Sequence, residues 1–491
     1  MILGRRVAKD LEIKIGLEVH VQITALKTKL FCNCPADYRG KQPNTVVCPV
    51  CLGLPGALPV VNRKAIEYAI MVAKALNCEI NNVLVFSRKH YFYPDLPKNY
   101  QISQYDGPGS APIAKNGWIK VFVDGKTKIV RIRRINIEED PGKLTYPGGT
   151  MTGALYSLVD YNRSGVALLE IVTEPDMESP REARAFLEKL LSILEYLGVT
   201  DPRAEGSFRV DANISVGGMA RVEIKNIGSI KEVEKALNYE ILRQKAIIEQ
   251  GGRVERETRH WDPIKRITTP VRVKEFEEDY RYFPDPDLPP IPITKEWIEE
   301  IEKKMPELPD ARIERFMKQY GLDEYRANVL VLEKWLADLF EEAAKMYSDY
   351  RKLADWLLIE VLRWVKEYDL SPHNIKLTAN SLVKLLRMID EGRITARMAK
   401  EILPKMIREG IDVEKYVAEA GIERLSDVET LRKIVEEVFS ENPKAVKDAL
   451  ENPKAVNFLI GAVMKKTRGR ADPSIARKLI LDKLEEIKRH S

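Results

Sequence analysis

The sequence contains no run of apolar residues long enough to cross a membrane. The longest such run lies near Ala455–Met464, well short of the roughly 20 residues that a transmembrane helix requires. The first residues, MILGRRVAKDLEIK, lack the apolar core of a signal peptide. Five cysteines in 491 residues are too few for a disulfide scaffold. We therefore expect a cytoplasmic protein that does not associate with a membrane.

The common nucleotide-binding and acyl-transfer motifs are also missing. The chain has no G-x-x-x-x-G-K-[ST], no G-x-G-x-x-G after a strand and no G-x-S-x-G. These patterns mark phosphate-binding loops, dinucleotide folds and nucleophile elbows. If the protein uses ATP, we expect it to bind the nucleotide on a sheet surface, through a metal ion and Arg or Lys side chains.

The chain changes character once along its length. At 491 residues, with 79 basic and 74 acidic side chains, the chain is long enough for roughly three domains that each bury a core. Up to residue 293 it combines alternating patterns with many Gly and Pro residues, whereas from Thr294 onward apolar residues recur at helical spacing. Pro372 interrupts the helical part. We predict domains over residues 1–293, 294–375 and 376–491.

Strict alternation of apolar and polar residues predicts the strands of the first domain. In LEIKIGLEVHVQI (residues 11–23), a period of two places Glu18 and His20 together on the polar face. Asp124-Gly125 lies between two alternating runs, which predicts a hairpin. Two further segments, FRVDANISV and RVEIKN, place a set of charged and amide side chains on a polar face, namely Arg209, Asp211, Asn213 and Lys225.

Helical periodicity fits Arg63–Leu76, Pro180–Leu197 and Lys231–Glu249. We therefore expect an α+β first domain, with an antiparallel-rich sheet that has helices on one side and a polar face on the other. All-helical domains follow it. Antiparallel sheets often leave one face exposed to water, but the Glu-His and Arg-Asp-Asn combinations here have recognisable chemistry. If the protein uses ATP, we expect Arg209, Asp211, Asn213 and Lys225 to contact it.

Two more carboxylates lie near strands of this domain, Glu138 in INIEEDPGK and Glu170 in VALLEIVTEPD. Glu170 is surrounded by apolar residues, and a buried carboxylate is unfavourable unless it is paired or binds a metal. Together with Glu18 and His20, these residues could hold a hard cation, Mg²⁺ or Mn²⁺, against substrate phosphates. Structural ion pairs are the alternative interpretation, because they also place carboxylates in strands.

The cysteines give a more specific signal. Cys32, Cys34, Cys48 and Cys51 form a C-x-C-x13-C-x2-C pattern in a loop rich in Pro, Gly and Asn. Two close pairs separated by a short loop suit tetrahedral Zn²⁺, and four thiolates leave no open position for catalysis. Four unrelated thiols are not expected to fall within twenty residues. We predict a structural zinc site.

The last 31 residues carry nine basic and four acidic side chains, and KKTRGR (Lys465–Arg470) is the densest basic run. Such a cluster could bind a phosphate backbone. The alternative is a solvated turn between two helices.

Several long motifs resemble the B subunits of the tRNA-dependent amidotransferases. They include IGLEVHVQ, RKHYFYPDLPKNYQISQYD, INIEEDPGK, LVDYNRSGVALLEIVTEPD, GSFRVDANISV, VEIKNIGS and VKEFEEDYRYFPDPDLP, and the resemblance extends to NFLIGAVMKKTRGRADP near the end. Two-subunit archaeal relatives carry a large inserted domain for which this chain has no room. The chain is therefore similar to the B subunit of the three-subunit enzyme.

The resemblance implies an activity, a fold and partners. The first domain would be a cradle related to glutamine synthetase and the guanidino kinases. It would transfer the γ-phosphoryl group of ATP to the side-chain carboxylate of misacylated Glu-tRNA(Gln) and/or Asp-tRNA(Asn), so that ammonia could displace phosphate. The enzyme would be a carbon–nitrogen ligase that uses glutamine as donor. Ammonia would come through a channel from the amidase A subunit (GatA), in a heterotrimer with the small C subunit (GatC).

The family's residues are carried over by position. Its metal ligands fall on Glu18, His20, Glu138 and Glu170, which the pattern also selects. Lys89 and Glu138 match positions at the mouth of the ammonia channel, and Tyr91 matches a position near the aminoacyl end of the tRNA. The four cysteines match those members that bind zinc. The tail would bind the tRNA elbow, and we expect its contacts to include Lys465, Lys466, Arg468 and Arg470.

A second hypothesis is a zinc-containing tRNA-binding protein without catalysis, whose polar sheet face contacts phosphates. A face that binds anions is not expected to carry three carboxylates. The discriminating residue is Glu170, because a buried carboxylate favours a metal site.

Overall fold

The computed structural model describes residues 11–147, 154–271, 280–421, 428–452, 455–467 and 471–490. The chain forms two compact units, one up to Ala311 and the other from Arg312 onward. The first combines sheet and helices, and the second is helical. The expected order of an α+β part followed by a helical part is confirmed at this level. The finer boundaries after residues 293 and 375 stay predictions.

The first unit is built around a broad mixed sheet. Strands β1–β16 run over Ile13–Gln22, Glu79–Ile80, Val83–Leu84, Ser87–His90, Tyr100–Ser103, Ala114–Val123, Lys126–Glu139, Lys143–Thr145, Leu158–Asp160, Ala167–Thr173, Phe208–Val216, Val222–Ile227, Glu257–Asp262, Ile267–Pro270, Phe283–Pro284 and Ile291–Pro292. The main sheet has the order β14-β13-β12-β11-β1-β10-β7-β6-β2. Its neighbours are antiparallel except for the parallel pair β12–β13. A smaller sheet has the order β15-β4-β5.

Helices pack against one face of the main sheet. They are α1 (Arg63–Ala75), α2 (Pro180–Tyr196) and α3 (Ile230–Glu249), so the three helices expected from periodicity are confirmed. A further helix, α4 (Lys295–Glu302), packs on α1. Each of the three begins at a side-chain cap: Asn62, Ser179 and Ser229 accept hydrogen bonds from backbone N–H groups of the first turn, which would otherwise lack partners.

The alternation in β1 separates the two faces as expected. Ile15, Leu17, Val19 and Val21 are almost fully buried in the core between sheet and helices, and the residues between them face the other way. The Asp124-Gly125 hairpin is also confirmed. Val123 pairs with Lys126, and both turn residues have positive φ, 49° and 77°, as a tight two-residue hairpin turn requires.

The second unit consists of helices, the first of which begins at Pro309, three residues before the boundary between the units. Helices α5–α16 run over Pro309–Tyr320, Glu324–Leu332, Lys334–Ala344, Tyr350–Asp355, Leu362–Glu367, Ala379–Asp390, Ala396–Glu409, Val413–Glu419, Val428–Glu441, Pro443–Glu451, Val456–Lys466 and Pro473–His490. The π-helical segment Trp356–Val361 joins α8 to α9. Helices α13–α16 share a core that includes Leu431, Leu459 and Ile480. In the described part of the chain, every helix is too short or too polar to span a bilayer.

Candidate active site

The sheet brings the predicted metal ligands together on its polar face. Strand β1 lies between β10 and β11, and His20 stands directly opposite Glu170. One ligand atom each of Glu18, His20 and Glu170 lies within 4.8 Å of the others. Strand β7 adds Glu138, whose Oε1 is 3.5 Å from His20 Nε2. The structure therefore places all four residues in one cluster.

The carboxylates of this cluster differ in the direction of their pKa shifts. Loss of hydration and the neighbouring Glu170 raise the pKa of Glu18 well above its ordinary value, and burial and Glu170 likewise raise the pKa of Glu138. Burial also acts to raise the pKa of Glu170, but Arg134 and His20 outweigh it and lower that pKa to about 2. Burial first, and the charge of Glu170 second, therefore shift the pKa values of Glu18 and Glu138 upward, whereas the pKa of Glu170 is shifted downward.

The residues present fit a divalent cation. Asn136 Nδ2 donates to Glu170 Oε2, and Ser103 Oγ donates to Glu138 Oε2 at 2.9 Å, so the carboxylates are held in place. The buried Asn136 Oδ1 has no hydrogen-bond partner among the described residues. Carboxylate and amide oxygens with one imidazole suit Mg²⁺ or Mn²⁺. Asn136 was missed by the sequence analysis, although it alternates with Glu138 on the same face.

The smaller sheet brings Lys89 and Tyr91 to this cluster. Lys89 Nζ lies 4.8 Å from the centroid of the Tyr280 ring. Burial opposes its charge, but Tyr282 and Glu138 raise the pKa of Lys89 well above its ordinary value, so it is a fixed cation. Tyr91 packs edge-to-face on Tyr280, with ring centroids 6.2 Å apart, and loss of hydration raises its pKa. Tyr280 and Tyr282 were missed as site residues.

The proposed ATP contacts lie further along the same face. Arg209 Nη2 donates to Asp140 Oδ1 at 2.7 Å, and this carboxylate raises the pKa of Arg209. Asp211 stands opposite Glu18 and Asn213 opposite Gly16. These residues share a surface with the carboxylate–histidine cluster, but their role toward ATP stays a prediction.

Lys225 adds a positive charge to this surface, and a small cavity lies beside Glu170. Burial opposes the charge of Lys225, but Glu223 and Asp211 raise its pKa. Beside Glu170 lies a polar cavity of about 90 Å³, lined by residues that include Lys89, Asn136 and Tyr282. Lys89 of the smaller sheet and Glu170 of the main sheet therefore line a common cavity.

The four cysteine sulfurs also come together, each within 4.8 Å of the others. The Sγ atoms of Cys48 and Cys51 are 3.8 Å apart, which matches the ~3.8 Å that tetrahedral Zn–S bonds of about 2.3 Å imply. A hydrogen bond from Cys32 lowers the pKa of Cys51 to about 4, while loss of hydration raises that of Cys34 to about 11. The donor set fits Zn²⁺, and the zinc assignment stays a prediction.

The cysteine loop is hydrogen-bonded to the segment just before the strand that carries Glu170. Asn162 Oδ1 accepts from the backbone N–H of Val46 at 2.7 Å, and Ser164 Oγ donates to the Cys51 carbonyl at 3.0 Å. Because β10 begins at Ala167, the order of this loop bears directly on the position of the site.

The predicted tRNA contacts in the tail differ in their surroundings. Lys465 and Lys466 end helix α15. Lys466 Nζ lies 2.8 Å from Glu437 and 2.6 Å from Glu441, so its charge is already compensated. Arg468 and Arg470 lie outside the described residues. The basic run in the sequence therefore does not show which of its lysines forms ion pairs with carboxylates.

The first unit is thus a domain of sheet and helices whose polar sheet face carries a carboxylate–histidine cluster suited to a divalent cation. A family model described as the GatB/GatE catalytic domain matches residues 13–299, and one described as a GatB domain matches residues 338–484. The chain belongs to the GatB/GatE family, and the resemblance seen in the sequence is confirmed.

Relatives cover nearly the whole chain, and each is named as the B subunit of an aspartyl/glutamyl-tRNA(Asn/Gln) amidotransferase. The relative from Sulfurisphaera tokodaii is 59% identical over 95% of this chain and 98% of its own length. The protein from Sulfolobus acidocaldarius is 58% identical over 96% and 99% of the two chains. The one from Carboxydothermus hydrogenoformans is 48% identical over 98% and 100%.

Proposed function

We propose that this chain is the component of a tRNA-dependent amidotransferase that activates the misacylated amino acid with ATP. The observation that carries the proposal is the cluster of Glu18, His20, Glu138 and Glu170 beside the cationic Lys89. A carboxylate acylates ammonia poorly because oxide is a poor leaving group. Transfer of the γ-phosphoryl group of ATP to this carboxylate releases ADP and converts the carboxylate oxygen into a better leaving group, phosphate.

Each group has a role in this proposal. The bound cation would neutralise charge on the transferring phosphoryl group, as phosphoryl transfer requires. Lys89, Arg209 and Lys225 supply positive charge along the same face. Tyr91 positions the aminoacyl end, and ammonia enters between Lys89 and Glu138. The nitrogen then bonds to the acyl carbon, inorganic phosphate leaves, and the amide loses the surplus proton.

The names of the relatives, which designate one subunit of an enzyme, support a multi-subunit assembly. We propose the heterotrimer with the amidase A subunit (GatA) and the small C subunit (GatC), in which glutamine is the nitrogen donor. We further propose that the first unit has the cradle fold related to glutamine synthetase and that Zn²⁺ on the four cysteines is structural. The substrates would be Glu-tRNA(Gln), Asp-tRNA(Asn) or both.

The decisive experiment is ATP turnover by the reconstituted assembly. We expect phosphate release that depends on misacylated tRNA and does not require glutamine. With correctly acylated tRNA as the matched control, release should fall to background because the side-chain carboxylate is absent. A complex that binds misacylated tRNA but releases no phosphate would instead support the non-catalytic tRNA-binding protein.

Removal of the last four helices tests the tail. A chain that ends after Gly421 lacks α13–α16, which have their own core, so the rest should keep its thermal transition. We expect weaker tRNA binding and a shallower dependence of log Kd on log salt, because fewer phosphate contacts release fewer counterions. Unchanged tRNA affinity in an assembly of normal composition would contradict this role.

A further inference from the structure

Two adjacent arginines of strand β7, Arg133 and Arg134, lie beside the carboxylate–histidine cluster. The residues of β10 that pair with Ile132 and Arg134 are successive in the chain, so Arg133 is an extra residue that forms a β-bulge. Ile132 and Ile135 are both buried in the core although they are three residues apart. The alternation of the strand is therefore interrupted between them, and both arginines line the cavity on the polar face.

This cavity combines positive charge with a small volume. Arg133, Arg134 and Lys89 line it, and among the described residues Asp106 and Glu170 are its only carboxylates. Its volume is about 90 Å³, whereas pockets that enclose a drug-sized ligand measure roughly 300–1,000 Å³. The cavity therefore suits a single anionic group, such as a phosphoryl group, and is too small for a nucleoside.

The guanidinium of Arg134 lacks an acceptor. Its Nε atom is buried and has no hydrogen-bond partner among the described residues. Arg131 of the same strand, by contrast, donates to both carboxylate oxygens of Asp176 at 2.9 and 2.6 Å. A buried donor without a partner is unfavourable and rare in native proteins, so we expect a ligand to supply the acceptor. Phosphoryl oxygens match a guanidinium, which can donate two parallel N–H groups to them.

We propose that Arg134, assisted by the more exposed Arg133, binds the oxygens of the γ-phosphoryl group of ATP during its transfer. This inference rests on the proposed function and deepens it, because it assigns the residues that hold the transferring group. In the transfer, an oxygen of the substrate carboxylate bonds to the γ-phosphorus, and the bond from phosphorus to the bridging oxygen breaks and leaves its electron pair on ADP. The arginines form no covalent bond and compensate the negative charge of the phosphoryl oxygens.

Arg134→Lys tests the contact, because it keeps the positive charge beside Glu170 and removes the paired N–H groups. The described residues provide no acceptor for Arg134 Nε, so the thermal midpoint should barely change. We expect phosphate release by the complete assembly, at saturating ATP and misacylated tRNA, to fall about 10²-fold, within the range for one preorganised donor. The affinity of the purified chain for Mn²⁺ and the KM for tRNA should stay unchanged.

Nucleotide binding provides a measurement that does not depend on turnover. An ATP analogue with an imido group between the β- and γ-phosphorus atoms differs from ADP by the terminal phosphoryl group. With Mg²⁺ present, the wild-type assembly should bind this analogue more tightly than ADP. Arg134→Lys should reduce this preference roughly tenfold, the equivalent of about one charge-assisted hydrogen bond, and leave the affinity for ADP unchanged. Arg133→Ala should reduce it less, because water screens an exposed charge.

Arg131→Lys is the matched control. It makes the same chemical change on the same strand, at an arginine whose partner is Asp176, and ATP turnover and nucleotide preference should both stay at the wild-type level.

Retention of the preference for the analogue in Arg134→Lys would overturn the inference, whatever the turnover, as would equal affinity of the wild-type assembly for the analogue and ADP. Weaker Mn²⁺ binding in this variant would show that the arginine acts through the cation site, and a higher KM for tRNA would show that it contacts tRNA; either result contradicts the proposed contact. In all these cases the proposed function still stands if the wild-type assembly releases phosphate with misacylated tRNA. Without that release, the proposed function fails and the inference fails with it.

Discussion

Glu170→Gln is expected to lower tRNA-dependent ATP turnover about 10²–10³-fold, the usual cost of one preorganised electrostatic contact. Glu170 is buried and ionised in the centre of the cluster. Glutamine keeps its size and can still accept the hydrogen bond from Asn136, so the fold should persist. What is lost is the negative charge that, in our proposal, holds the cation beside ATP. Phosphate release with misacylated tRNA measures the effect, and weaker Mn²⁺ binding by the purified chain should accompany it.

Glu240→Gln is the matched control for a buried carboxylate outside the site. Glu240 is fully buried in α3 and accepts from Arg243, Gln244 and Thr268. Its substitution should lower thermal stability and leave turnover per folded assembly unchanged. Glutamine hydrolysis, which we assign to the amidase partner, should survive in both variants. Near wild-type ATP turnover in Glu170→Gln would show that this carboxylate is structural, and the metal site would have to be abandoned.

Cys34→Ala is expected to remove about one zinc ion per chain, because a closed site needs all four thiolates. Structural zinc contributes about 10–16 kcal/mol of binding free energy in zinc-finger peptides, so even partial loss should lower the thermal midpoint by several degrees. Hydrogen exchange should increase between Thr28 and Asn62. Because this loop is hydrogen-bonded to Asn162 and Ser164, just before β10, ATP turnover should also fall.

Cys78→Ala separates loss of zinc from loss of a packed thiol. Cys78 is buried, and its Sγ occupies the space beside Gly117. This variant should keep its zinc and its activity, at a small cost in stability. Zinc-free wild-type protein in which all four loop thiols react freely would contradict the prediction.

Local sequence patterns are sufficient to predict much of the fold. Alternation places Glu18 beside His20 because the period of a strand is a property of the backbone. The Asp124-Gly125 hairpin, the caps of α1–α3 and the grouping of four cysteines within one loop are likewise determined by neighbouring residues. The same reasoning could have found Asn136, which is two residues from Glu138 in the same strand.

Other features depend on which distant segments pair. Nothing near His20 in the sequence indicates that β10 is its neighbour and that Glu170 stands opposite it. The cover of Lys89 by Tyr280 and Tyr282 requires a second sheet that joins residues far apart in the chain.

The sequence by itself determined the family, the polar face and the residue types that suit a cation and zinc. The tertiary structure decided which charged groups form pairs. Asp140 accepts a hydrogen bond from Arg209. Glu437 and Glu441 form ion pairs with Lys466, whereas Lys465 is exposed. The physical reason is that the energy of a charge depends on its burial and on its partners within a few ångströms. Packing between remote segments sets both, and a one-dimensional pattern does not record them.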